Sequence, residues 1–79
     1  MFNYERLRLK IRQMCGTQEN FAKKLGIGRV SLNLRLNNKA DFSQEEIHKA
    51  CDILGIDRKE ISKYFFETRV QKHEQKERR

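Results

Sequence analysis

Apolar residues recur at helical spacing through most of the 79-residue chain. Tyr4, Leu7, Ile11 and Met14 fall on one stripe of a first helix running from about Asn3 to Cys15. Asn3 can cap its first turn, Glu5 suits its positive end, and Gly16 can take the left-handed position that closes it. Leu9 lies opposite the stripe, as either an ordinary exposed leucine or part of a dimer surface. Thr17 opens a second helix as N-cap, with Asn20 where a capping-box Glu or Gln normally sits. Phe21, Ala22 and Leu25 form its buried face and Gly26 ends it. A single residue, Ile27, separates Gly26 from Gly28, and a third helix follows from about Arg29 to Leu36. Asn37-Asn38-Lys39 then carries turn chemistry.

Ser43-Gln-Glu-Glu46 is a capping box for a fourth helix with Ile47, Ala50, Cys51 and Leu54 on its inner stripe. Gly55 terminates it, and Ile56 anchors to the core beyond the end. Asp57-Arg-Lys-Glu60 repeats the device and opens a fifth helix through Ile61 to about Phe65. Residues 66–70 alternate as a short strand would, although a continued helix is equally compatible with them. Gln71 to Arg79 is almost wholly polar. The pattern, with no Pro to break it, predicts an all-α, five-helix domain over residues 1–66, with residues 67–79 as a charged tail, extended or disordered.

The stretch from Thr17 to Lys39 carries the functional signal. Ala22 lies four residues before Gly26, and Leu32 and Leu36 follow the turn at i, i+4. Two helices can then cross steeply, because Gly26 accepts a positive φ and Ala22 leaves room for the second helix. Thr17-Gln18, Phe21-Ala22, Leu25-Gly26-Ile27, Ser31-Leu32 and Leu36-Asn37-Asn38-Lys39 together resemble the helix-turn-helix of Cro/CI-type phage repressors, the lambda-repressor-like or XRE family. The flanking helices match that family's five-helix layout from residue 4 to about 65. The Tyr-Phe-Phe ending with its charged tail resembles small phage and prophage members of the group.

This resemblance implies a sequence-specific regulator of transcription with residues 29–36 as recognition helix in the major groove of double-stranded DNA. With Leu32 and Leu36 inward, the outward arc holds Arg29, Val30, Asn33, Leu34 and Asn37. Arg29 would read guanine, Asn33 would read adenine or touch a phosphate, and Val30 would meet a thymine methyl. Leu34 either packs on a second thymine methyl or marks a helix rotated so that Arg35 faces the DNA instead. Gln18 matches the phosphate-binding Gln of the family, at a helix start whose N–H groups favour an anion. Asn37, Asn38 and Lys39 would grip the backbone across the groove. Thr17 serves as a cap, and Lys23, Lys24, Arg6 and Arg12 contribute field.

Charge sharpens the picture once it is divided along the chain. Residues 1–40 carry nine basic and two acidic side chains, and residues 41–79 carry nine of each. The whole net charge of +7 therefore precedes residue 41, on the half that holds the helix-turn-helix. A solvated basic face kept for solubility would look the same. Catalysis is not expected: His48 lies beside Glu45 and Lys49 without a nucleophile, His73 is in the tail, and Glu45-Glu46 serves a helix start. Cys15 and Cys51 sit near helix C-termini, where the dipole disfavours a thiolate, and read as core or near-core thiols. No metal or cofactor is expected, nor a small-molecule substrate. No apolar run approaches the roughly 18 residues that a bilayer span needs, and a cytoplasmic location is the expectation.

The expected partners are a near-palindromic DNA operator and a second copy of the chain, paired through Tyr64-Phe65-Phe66 and Val70 because these apolar residues exceed what one small core hides. The rival reading is a protein-binding modulator, an antirepressor, that acts on another repressor through exposed Leu9, Leu34 and Phe66. RNA ranks third, since the basic half lacks aromatic platforms for stacking unpaired bases.

Overall fold

The computed structural model describes residues 1–68; Val70 and the charged stretch beyond it lie outside the described residues. Five helices follow in order: α1 (Glu5–Cys15), α2 (Gln18–Leu25), α3 (Arg29–Leu36), α4 (Gln44–Leu54) and α5 (Ile61–Phe65). A single 3-10 turn, Arg58–Glu60, leads into α5. The domain is all-α as the periodicity predicts, and an isolated antiparallel bridge joins Phe2 to Thr68. Among the described residues no helix is long and apolar enough to cross a membrane.

One core collects the inner stripe of every helix: Leu7 and Ile11 from α1, Phe21, Ala22 and Leu25 from α2, Leu32 and Leu36 from α3, Ile47, Ala50, Cys51 and Leu54 from α4, and Phe65 from α5. Met14, expected on the α1 stripe, is instead 51% exposed, and Cys15 packs against the core in its place. At about 100° per residue, position 15 lies nearer in angle to Ile11 than position 14 does. Phe65 also departs from its expected role, since it is buried rather than free for a second copy. An edge-to-face aromatic run hides it: Phe65 meets Phe42 at 5.3 Å, and Phe42 meets Tyr4 at 5.6 Å. One small core thus absorbs the aromatic ring that the sequence assigns to a dimer, and Phe66 alone of that triplet is left about half exposed.

Three starts follow side chains that cap them, those of α2, α4 and the 3-10 turn. Ser43 accepts from the Glu46 N–H while the Glu46 carboxylate accepts from the Ser43 N–H, which completes the capping box. Asp57 caps the 3-10 turn through the Lys59 N–H, but Glu60 does not return the bond and lies 3.8 Å from Lys63. The tighter turn eclipses positions 57 and 60, so the α-helical box geometry is lost. Thr17 accepts from the Asn20 N–H at 3.1 Å, and Asn20 donates its amide to the Cys15 carbonyl at the end of α1. Thr17 thus satisfies an orphan N–H of α2, and the Asn20 side chain an orphan carbonyl of α1.

The α2–α3 turn is closed by hydrogen bonds from the Gly26 N–H to the Ala22 and Lys23 carbonyls and from the Ile27 N–H to the Ala22 carbonyl. Gly26 has φ +87°, where a side chain is strained, and Ala22 is buried at the crossing. Ile27 packs partly buried against the core, as the plug of the turn. These features orient α3 so that one face enters the core and the other faces outward.

Candidate functional site

The outward face of α3 begins from which residues the core takes. Leu32 and Leu36 are buried, which leaves Arg29, Val30 and Leu34 exposed and Asn33 half-buried. Val30 is 73% and Leu34 42% exposed, one helical turn apart. Arg35 points elsewhere. Its Nε and Nη2 donate to Glu46 Oε1 and Oε2 at 2.9 and 3.2 Å, and Nη1 donates to the Ser31 carbonyl at 2.9 Å. The rotated alternative, with Arg35 outward, is therefore not the arrangement adopted.

Glu46 serves both this ion pair and the capping box of α4. Burial alone would raise its carboxyl, but the Arg35 hydrogen bond, the Ser43 N–H and the Arg35 charge together hold it below its ordinary value of 4.5. A depressed carboxyl contributes stability that is present above the ordinary value and is lost as pH falls through the folded one. Glu46→Gln is accordingly expected to cost about 1–2 kcal/mol at neutral pH, from the weakened cap and the unpaired guanidinium. Its penalty should be full above pH 4.5 and shrink as pH falls through the depressed folded value, where the parent carboxyl takes up its proton. Denaturant melts from pH 7 downward follow the trend, and a penalty that stays constant throughout would remove the ion pair from the account.

The residues expected at phosphates do not behave alike. Gln18 opens α2, half-buried, and lines a cleft of about 450 Å³ together with Arg29, Arg8 and Arg12. Lys39 is exposed. Asn37 ends α3, where its Oδ1 accepts from Arg8 Nη2 at 3.2 Å; the same Nη2 also donates to the Leu36 carbonyl at 3.1 Å. Asn38 stands apart. Its Oδ1 accepts from the Phe2 N–H at 2.8 Å and its Nδ2 donates to the Phe2 carbonyl at 2.9 Å. With φ +63° it occupies the left-handed region that Asn tolerates better than most residues. Asn38 is therefore engaged in clamping the N-terminal segment, whose next residue, Asn3, donates its N–H to the Glu67 carbonyl. A pattern-based reading treats 37–39 as one polar patch, and only the fold separates these roles.

Arg8 is the residue that sequence reasoning passed over. It reaches from α1 to the carbonyl end of α3, where a cation is favoured, and it forms one wall of the cleft. Its signal lies in the outward spacing Glu5, Arg8, Leu9, Arg12, which is i, i+3, i+4, i+7 on the solvent side of α1. Leu9 is 59% exposed in the middle of that stripe. Of the two thiols, Cys15 is half-buried and Cys51 buried, and burial followed by the Asp52 charge pushes the Cys51 thiol up despite Arg58.

The sequence family described as "Protein of unknown function (DUF739)" matches residues 1–68, and the chain belongs to it. No curated protein matches the chain. Among solved structures it is similar to the modulator of repression (MOR) of the temperate bacteriophage TP901-1 from Lactococcus lactis, determined in solution. The two share 38% identity with a TM-score of 0.75, covering 89% of this chain and 95% of that one.

Proposed function

We propose that this chain is a phage-type regulator that modulates a DNA-binding repressor by direct protein contact, with the outward face of α3 as its contact surface. The observation that carries this is the 38% identity, over nearly the full length of both chains, with a modulator of repression. The geometry agrees with that role. Val30 and Leu34 form an apolar pair on a helix face otherwise bordered by Arg29, Asn33 and Asn37, a composition suited to the centre of a protein interface.

A second reading keeps the helix-turn-helix as a reader of operator DNA, in the manner of Cro/CI-type regulators. It is favoured by the basic first half of the chain and by Arg29 and Asn33 beside Val30 on the outward arc. In that reading Gln18 and Lys39 hold phosphates, and a second copy of the chain reads the other half of a near-palindrome.

A titration separates the two. The cognate repressor is bound to its fluorescent operator duplex, and anisotropy is followed as this protein is added. Modulation by protein contact is expected to shift the repressor's half-occupancy by about ten-fold or more, a change of about 1.4 kcal/mol. The protein alone should leave the same duplex unchanged. An unshifted repressor curve, together with recovery of a palindrome by this protein alone from random duplexes and a steep salt slope, would favour the second reading.

A further inference from the structure

The cleft beside α3 has chemistry that the α3 face does not use. Arg8 and Arg12 from α1 and Arg29 from the start of α3 line it, with Gln18 at the first turn of α2. Arg8 and Arg12 stand at i, i+4 on one helix, a spacing at which like charges repel. Among the described residues, the ion pairs of the chain are Arg6 with Glu67, Arg35 with Glu46 and Lys63 with Glu60, so Arg8, Arg12 and Arg29 have no carboxylate partner there, although Arg8 Nη2 is already engaged by the Leu36 carbonyl and Asn37 Oδ1. Leu9 adjoins the cleft, since Arg8 and Arg12 also wall the smaller hollow in which Leu9 sits.

We infer that this cleft receives an Asp or Glu carboxylate of the protein partner, carried on an amphipathic helix whose apolar residue, one turn away, packs on Leu9. The inference rests on the reading of the chain as a protein-binding modulator and names the chemistry of its partner. One observation favours a protein over a DNA backbone: a phosphate backbone has no apolar group to cover an exposed Leu9, and a helix does. Glu19 in the cleft and Glu5 in the hollow are outnumbered by Arg8, Arg12 and Arg29, so the lining stays net basic toward an incoming acid. Arg29 joins the cleft to Val30 on α3, so the contact surface continues from α3 across to α1.

The test uses the whole chain and the cognate repressor. An Arg12→Lys variant supplies an amine that carbodiimide can couple to a neighbouring carboxylate. Mass spectrometry is expected to find position 12 joined to an Asp or Glu of the repressor that has an apolar residue three or four positions away. Arg12→Glu is expected to weaken repressor binding by about ten-fold or more, with an unchanged thermal melt, and exchanging that repressor acid for Lys should restore it. Coupling only through Lys10 or Lys23, or full affinity in Arg12→Glu, would overturn the inference. So would an Arg12→Glu protein that loses a DNA duplex while keeping the repressor, because the cleft would then be a phosphate site. If the parent protein ignores the repressor altogether, the proposed function fails. A synthetic helical peptide with Glu and Leu four residues apart then decides the cleft by itself: saturable binding lost in Arg12→Glu supports it, and no binding overturns it.

Discussion

Replacing Phe65 with alanine is expected to remove about half of the domain's folding stability. The ring is almost completely buried, and it ends the aromatic run through Phe42 to Tyr4 that ties α5 to the N-terminal segment and the α3–α4 connection. Truncating a buried Phe costs roughly 3–5 kcal/mol. A domain of this size has a total stability on the order of 5–10 kcal/mol. The melting midpoint should fall by on the order of 15–30 °C. Phe66→Ala is the matched comparison, because Phe66 is half exposed and meets Phe2 edge-on at 5.7 Å. Its loss should cost only about 1 kcal/mol. Circular dichroism melts of the two variants read both values, and a Phe65→Ala midpoint within about 5 °C of the parent would place the ring outside the core. The comparison also bears on C-terminal truncation. Deleting from Tyr64 onward removes a core ring, so lost binding in such a truncation would report lost fold rather than a lost dimer surface.

The second large effect concerns function. A Val30→Gln, Leu34→Gln double variant should keep its fold, because both side chains are on the surface, where substitutions usually cost within about 0.5 kcal/mol each. Its affinity for the cognate repressor should fall by about 100-fold, as expected when central apolar anchors worth about 2–3 kcal/mol are removed. The change is neutral in charge, so attraction of the basic half for DNA phosphates is left as it was. Calorimetric titration of the double variant into the repressor measures the loss. Undiminished repressor affinity, with a melt matching the parent, would take the α3 face out of the proposed contact.

Most of the fold was legible in the sequence, for reasons that can be named. Helical spacing of apolar residues placed four of the five core stripes, and Thr17, Ser43, Gly26 and Gly55 stand at the helix ends where their chemistry suits them. Those signals are local: a cap or a stripe depends on residues within one or two turns. The exceptions lie where a second element intervenes. Met14 was lost from the core to Cys15 because the angle at which α1 meets its neighbours is not encoded in α1 alone. Phe65 looks surplus along the chain because the partners that enclose it, Phe42 and Tyr4, lie more than twenty and sixty residues away.

The candidate site divides in the same way. An all-α domain with a helix-turn-helix, net charge concentrated ahead of residue 41, and Val30 and Leu34 on the arc opposite Leu32 and Leu36 are legible along the chain. The helical features follow from periodicity and the charge from composition, both of which a single segment contains. Arg29 lies seven residues before Leu36, on the same side of the helix, and is exposed because it starts α3. Three placements need the packed chain: Arg35 turns inward to Glu46, Asn38 clamps Phe2, and Arg8 and Arg12 of α1 share a cleft with Arg29 of α3. Each of these joins residues from different elements, and the meeting of two elements is set by how the common core packs, not by the pattern along either one.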